Sequence, residues 1–145
     1  MPLFNQNPQV TALYTGAPPT GTLAAAYNTT TFGTKVQDTH NAYSGGSYTV
    51  PVKGSYAITA ASRQGAGYVL GQVAAVAIFV DGVQKASNVV VAAAAVGTLD
   101  PQVSIEGLPL NAGQVVTIRC FNSGTTPAFT TSADENYFSI TRTGN

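Results

Sequence analysis

The chain has 145 residues, six basic and six acidic side chains among them, and charged residues make up 8% of it, against roughly 25% in an average soluble domain. That length fits one domain with a real core. So little charge excludes a basic footprint for nucleic acid and a cationic amphipathic stretch for a membrane surface.

In chain order, residues 1–31 read as an extended N-terminal arm. No charged residue occurs in them, and Pro2, Pro8, Pro18 and Pro19 interrupt regular pairing, since proline fixes φ and removes a donor. The opening MPLFNQNPQV has neither a positive n-region nor an apolar h-region, so no secretory signal is expected. Val10 to Tyr14 suits one short strand. Leu3, Phe4, Val10, Leu13 and Tyr14 make the arm apolar enough to lie on a neighbouring subunit or a larger surface. A single helical turn fits only around Ala24 to Tyr27.

From Phe32 onward the pattern is strand after strand, and residues 32–145 form the expected domain. Ser47 to Val52 is followed at once by Ser55 to Ser62. Gly65-Ala66-Gly67 reads as a flexible connection and not a phosphate loop, because neither a helix start nor a lysine follows it. Gln72 to Val80 meets Asp81-Gly82, a pair suited to a type I′ hairpin. The return strand covers Val83 to Ser87. Val89 to Val96, another strand or a loose Ala-rich segment, is an unbroken apolar run but far too short for a membrane helix. Val103 to Leu110 and Gln114 to Phe121 flank the turn Asn111-Ala112-Gly113, and Asn136 to Thr143 closes the series. Short strands separated by Gly, Asn and Pro predict an all-β sandwich or barrel. Gln72 to Val80 is apolar on both faces, and Ser55 to Ala61 has a second face that is small and uncharged. Strands of that kind need a layer beyond their own sandwich, which a subunit interface would supply.

Chemistry-bearing residues are sparse. His40 is the single histidine; Asp38 two residues away makes no relay without a nucleophile. No Cys/His cluster suits zinc. Asp134-Glu135 beside Asn136 offers oxygen ligands for calcium, but reads better as a solvated loop. Glu106 and Arg119 are placed for an ion pair if their strands are neighbours. Asn28-Thr29-Thr30 matches a glycosylation acceptor by chance. The single Cys120 excludes an intrachain disulfide and is expected as a buried free thiol. No enzyme activity, cofactor or metal is expected.

Four elements occur in a telling order. Phe32, Asp38, Asn41, Tyr43, Gly46, Tyr48, Gly54 and Tyr56 run through an aromatic strand into Gly-x-Tyr. Ile78 to Gly82 forms an Asp-Gly hairpin. Leu110 to Val116 is a Leu-x-x-Gly-Gln-x-Val turn, and Tyr137-Phe138-Ser139-Ile140 closes the chain. This order resembles the jelly roll shared by complement globular heads and the tumour necrosis factor superfamily, over about residues 32–143. Position 58 is Ile where many members have an aromatic, and neither a collagen-like stalk nor a membrane anchor is expected. Those departures fit bacteriophage virion proteins that use this fold better than a signalling ligand.

The resemblance implies an all-β jelly-roll homotrimer whose inner sheet faces the threefold axis. It makes Tyr56, Ile58, Tyr137 and Phe138 candidates for core or trimer seam. The implied function is non-enzymatic: a capsid decoration (cement) protein in the virion, made in the host cytoplasm, with the major capsid protein as partner. The alternative is the receptor-binding tip of a head or tail fibre. That reading expects an exposed recess at Tyr43, Tyr68 and Phe129 for a host-surface glycan or protein. Neither reading involves nucleic acid or membrane.

Overall fold

Alternation of large apolar and small polar side chains puts one face of each long strand into a shared core, and two sheets result. The structure is a computed structural model that describes residues 9–16 and 19–145. In chain order the strands are β1 (Thr11–Thr15), β2 (Asn28–Thr29), β3 (Thr34–Asp38), β4 (Tyr43–Ser44), β5 (Ser47–Thr49), β6 (Gly54–Ala61) and β7 (Gln64–Tyr68). They continue as β8 (Val73–Val80), β9 (Val83–Val91), β10 (Val96–Leu99), β11 (Gln102–Leu110), β12 (Val115–Asn122), β13 (Ala128–Phe129) and β14 (Tyr137–Gly144). A five-stranded sheet has the order β11-β6-β14-β1-β3. A six-stranded sheet runs β4-β5-β12-β8-β9, with β2 also paired to β12. A small sheet, β10-β7-β13, closes one end. No helix occurs among the described residues; the Ala24 to Tyr27 region makes an Ala24–Ala26 bridge instead of a helical turn.

The core lies between the two large sheets. Val10, Ala12, Tyr14, Tyr56, Ile58, Phe138 and Ile140 from one meet Val76, Ile78, Val80, Val116, Ile118 and Cys120 from the other. Each Val, Ile or Phe among them contributes about 1.5–3 kcal/mol on burial. Phe138 sits at the centre of an aromatic group, with ring centroids 5.7 Å from Tyr43, 6.1 Å from Tyr48 and 6.5 Å from Phe32. The expected buried thiol is found: Cys120 is fully buried.

Turn chemistry sets the registers. Asp81 and Gly82 have φ of 49° and 78°, the two positive values that a type I′ hairpin needs. The Asp81 carboxylate accepts from the Val115 amide at 2.9 Å and from Gln114 at 2.8 Å. Those two bonds tie the hairpin to β12 and hold the carboxyl below its usual range. Gly54 marks a close approach of chains: a Cβ there would collide with the Gly144 carbonyl and Arg142 Nε.

Several expectations are corrected. The segment before Phe32 is not a separate arm, because β1 lies between β14 and β3 and β2 edges β12. Thr11 pairs with Thr141 and Thr15 with Tyr137. This strand forms because Val10, Ala12 and Tyr14 alternate with Thr11, Leu13 and Thr15, so one face can enter the core. Val10 and Tyr14 are accordingly buried and cannot grip an outside surface. Leu13 is half-buried on the opposite face. Leu3 and Phe4 lie outside the described residues. The return strand from the hairpin continues to Val91, and Gly65-Ala66-Gly67 belongs to β7.

Candidate functional site

Parity separates the seam candidates. Tyr56, Ile58 and Phe138 point into the sandwich and are buried. Tyr137 points out of the five-stranded sheet and is half-buried, its hydroxyl accepting from Gln102 Nε2 at 2.7 Å. The register carries this outward face across the sheet in rows. Leu13 faces Ser139, which faces Thr59 and then Ser104; Thr15 faces Tyr137, then Ala61 and Gln102. Thr11 and Thr141 share a hydroxyl hydrogen bond at 3.1 Å. The outward positions of β1, β6 and β14 carry no charge, and most are half-buried. Across these three strands the face is apolar to weakly polar.

The second face of β8 has a different cover from the one its sequence suggests. Ala75 and Ala77 on that face are buried, yet the layer over them comes from the same chain. Tyr27 reaches across the sheet to within 5.7 Å of the Phe79 ring and 5.8 Å of Phe121. The Arg119 guanidinium lies 4.3 Å above the centre of Phe79. A subunit interface is therefore not needed to bury this strand. Beyond the cover, edge strand β9 exposes Val83, Val89 and Val91.

The Tyr43, Tyr68 and Phe129 recess is not formed. Tyr43 and Phe129 pack against the main core, and Tyr43 lies 4.4 Å from Tyr14 with its hydroxyl accepting from the Phe32 amide. Tyr68 is 1% exposed and belongs to a second core with Ala66, Ala74, Ala92 and Leu99. Its hydroxyl accepts from Asn122 Nδ2 at 2.6 Å. Asn122 also donates to Gln64 Oε1 at 3.1 Å, and Gln64 Nε2 donates to the Ala75 carbonyl at 3.0 Å. This buried network divides the two cores and has no signature in sequence spacing. Replacing Asn122→Leu strands the Gln64 oxygen and the Gly124 amide; a loss of about 1–3 kcal/mol is expected in urea unfolding.

Titratable groups near the loops serve structure. Asp38 accepts from the Tyr14 hydroxyl at 2.9 Å and from the His40 and Tyr43 amides at 3.1 and 3.2 Å. His40 Nδ1 shares a hydrogen bond with Thr39. Arg63 pairs with Glu135 and, at 3.3 Å, with Asp100. Among the described residues no three His, Cys, Asp or Glu side chains are placed to hold a metal ion. The Glu106–Arg119 pair does not form, because β11 and β12 lie in different sheets. Arg119 turns to Phe79 and donates from Nε to Thr117 Oγ1 at 3.3 Å.

No protein-family model matches the chain, and no curated protein matches it in sequence. Solved structures do match. Murine APRIL at pH 5.0 aligns with a TM-score of 0.69 and 9% identity, over 94% of this chain and all of that one. Eiger TNF from S. frugiperda aligns with a TM-score of 0.70 and 9% identity, over 96% of this chain and 95% of that one. Murine APRIL at pH 8.5 gives 0.66 and 8% identity over 94% and 100%.

Proposed function

We propose that this chain, a tumour necrosis factor-like jelly roll, is a non-enzymatic structural protein of a virion that assembles as a homotrimer and decorates a capsid. The observation that supports it most is the outward face of β1, β6 and β14 in the five-stranded sheet, where Leu13, Tyr137 and small side chains occupy the rows without a charge. Such a face loses little on leaving water and gains from burial against a copy of itself. The resemblance read from the sequence expects this sheet at the threefold axis. An obligate assembly of this kind buries upward of ~2,000 Å².

Decoration is then a mechanical activity. Three copies of one weak contact to the major capsid protein act together, and multivalency multiplies their effect without any new chemistry. With Val10 and Tyr14 committed to the core, the proposed anchor shortens to the residues before β1, with Leu3 and Phe4 as its apolar side chains. The fibre-tip alternative loses the recess on which it rested.

Two measurements test the reading. Light scattering of the intact protein is expected to give a trimer, and Tyr137→Asp to give a monomer of unchanged secondary structure. A monomeric parent, or an unaltered trimer in the variant, would remove the seam. Cosedimentation with undecorated capsids is expected for the parent and lost on deleting residues 1–8. The deletion must stop short of Val10, since removing β1 would open the sheet.

A further inference from the structure

Among the described residues, Arg119 is the one guanidinium that the strands place on an aromatic floor. It is half-buried on the outward face of the six-stranded sheet, in register with Ala77 on β8 and Thr29 on β2. Phe79 lies beneath it, Tyr27 stands beside that ring, and Phe121 stands on the far side of Tyr27. Only Nε is engaged, by Thr117; among the described residues neither terminal nitrogen has a hydrogen-bond or ion-pair partner. The acidic residues are placed elsewhere. Asp38 and Asp81 are held in turns, Asp100 and Glu135 pair with Arg63, Glu106 is on the other large sheet, and Asp134 is in the loop beside Glu135.

A half-buried cation with no carboxylate of its own presents a planar fork of donors matched to a two-oxygen anion. Phe79 is buried beneath it, and the half-buried rings of Tyr27 and Phe121 offer flat apolar faces. Hydroxyl groups border the platform at Thr29, Thr117 and Ser87, which share the outward face of the sheet with Arg119 and Ala77. A nucleic-acid backbone is disfavoured, since it needs several cations in a row and Arg119 is the only basic residue on β2, β8 and β12. A pyranose with a carboxylate fits all three features. Its C–H face covers an aromatic ring, its carboxylate takes the guanidinium fork, and its hydroxyls meet the polar border.

We propose that the Tyr27–Phe79–Phe121–Arg119 platform is a binding site for an acidic sugar residue, a uronic acid or a similar carboxylated pyranose. The site goes beyond the decoration reading and does not depend on it. A trimer built through the five-stranded sheet leaves the opposite sheet free to face outward.

The test uses a matched pair of probes, trigalacturonate and its fully methyl-esterified form, which share rings and hydroxyls and differ in charge. Binding to the full chain is followed by calorimetry and by saturation-transfer NMR. The acid is expected to bind at least tenfold more tightly than the ester, because charge-assisted bidentate bonds are lost on esterification. Arg119→Lys keeps the charge but loses the fork, and is expected to lose most of that preference while keeping the parent's thermal midpoint. Saturation transfer should fall mainly on ring protons, and Tyr27→Phe, which keeps the ring, should leave it unchanged. Equal binding of acid and ester, binding unaltered in Arg119→Lys, or no binding of either probe would each overturn the proposal. Capture of an acidic peptide in preference to the sugar would overturn the ligand class.

Discussion

Raising the pH from 10 to 12 is expected to unfold this protein, with tyrosine ionisation and loss of the sheet signal in circular dichroism occurring together. Burial pushes the Tyr14 phenol from 10 up to about 12, helped by the Asp38 carboxylate that accepts its proton. Burial likewise pushes Tyr68 to about 12, against a smaller lowering by its Asn122 hydrogen bond. Tyr43, Tyr48 and Tyr56 move in the same direction, each chiefly through burial. The sign follows from which state gives up its proton first. Below pH 10 these phenols are neutral in both states. Between 10 and 12 the unfolded chain ionises while the folded one cannot, so stability falls steadily with pH. At about 1.4 kcal/mol per unit, Tyr14 and Tyr68 together remove about 4–5 kcal/mol by pH 12, comparable to the whole stability of many domains. Tyr14→Phe is expected to lower the slope of stability against pH in that window by one proton. Stability that stays level to pH 12 would refute the account.

Phe138→Ala is expected to cost about 3–5 kcal/mol in denaturant unfolding, the range for deleting a buried aromatic ring. The ring is 1% exposed and reaches from the five-stranded sheet to the aromatic group opposite: Phe32, Tyr43 and Tyr48 all lie within 6.5 Å of its centroid. No flexible neighbour is placed to refill the space, since each of these rings is itself held by strands or hydrogen bonds. The adjacent position is the control. Ser139 points to the other face, and Ser139→Ala is expected to change stability by less than about 0.5 kcal/mol. Equal losses at 138 and 139 would mean that the parity of β14 is wrong.

The longer strands are legible in the sequence because period-two alternation survives in them and turn chemistry bounds them. Ser55 to Ala61, Gln72 to Val80 and Val103 to Leu110 match β6, β8 and β11 closely, and Asp81-Gly82 announces its hairpin. The jelly-roll order was legible for the same reason, through Gly54-Ser55-Tyr56 and Tyr137-Phe138. What a single chain does not encode locally is which sheet a strand joins. Residues 11–15 read as a strand, but the proline-rich surroundings hid its place between β14 and β3. The stretch at 64–68 carries two glycines and no alternation of size, so only its neighbours β10 and β13 make it a strand. Tyr68 looked like a loop residue for that reason. Arg119 and Glu106 looked like partners because adjacent strands in sequence need not share a sheet. The two-sided apolar pattern of β8 did signal a missing layer, and Tyr27 could have been nominated as an aromatic with no other assignment.

The antiparallel pairing of β1 with β14, with Thr11 opposite Thr141, also makes the fold nearly cyclic. The two outermost long strands of the covalent order are neighbours in the hydrogen-bonded one. A short peptide from residue 144 back to residue 10 would leave every strand pair in place, and the backbone could then be cut at the exposed Leu70–Gly71 turn. The architecture thus fixes a ring of contacts, and the order in which the chain visits them can be rotated without changing any of them.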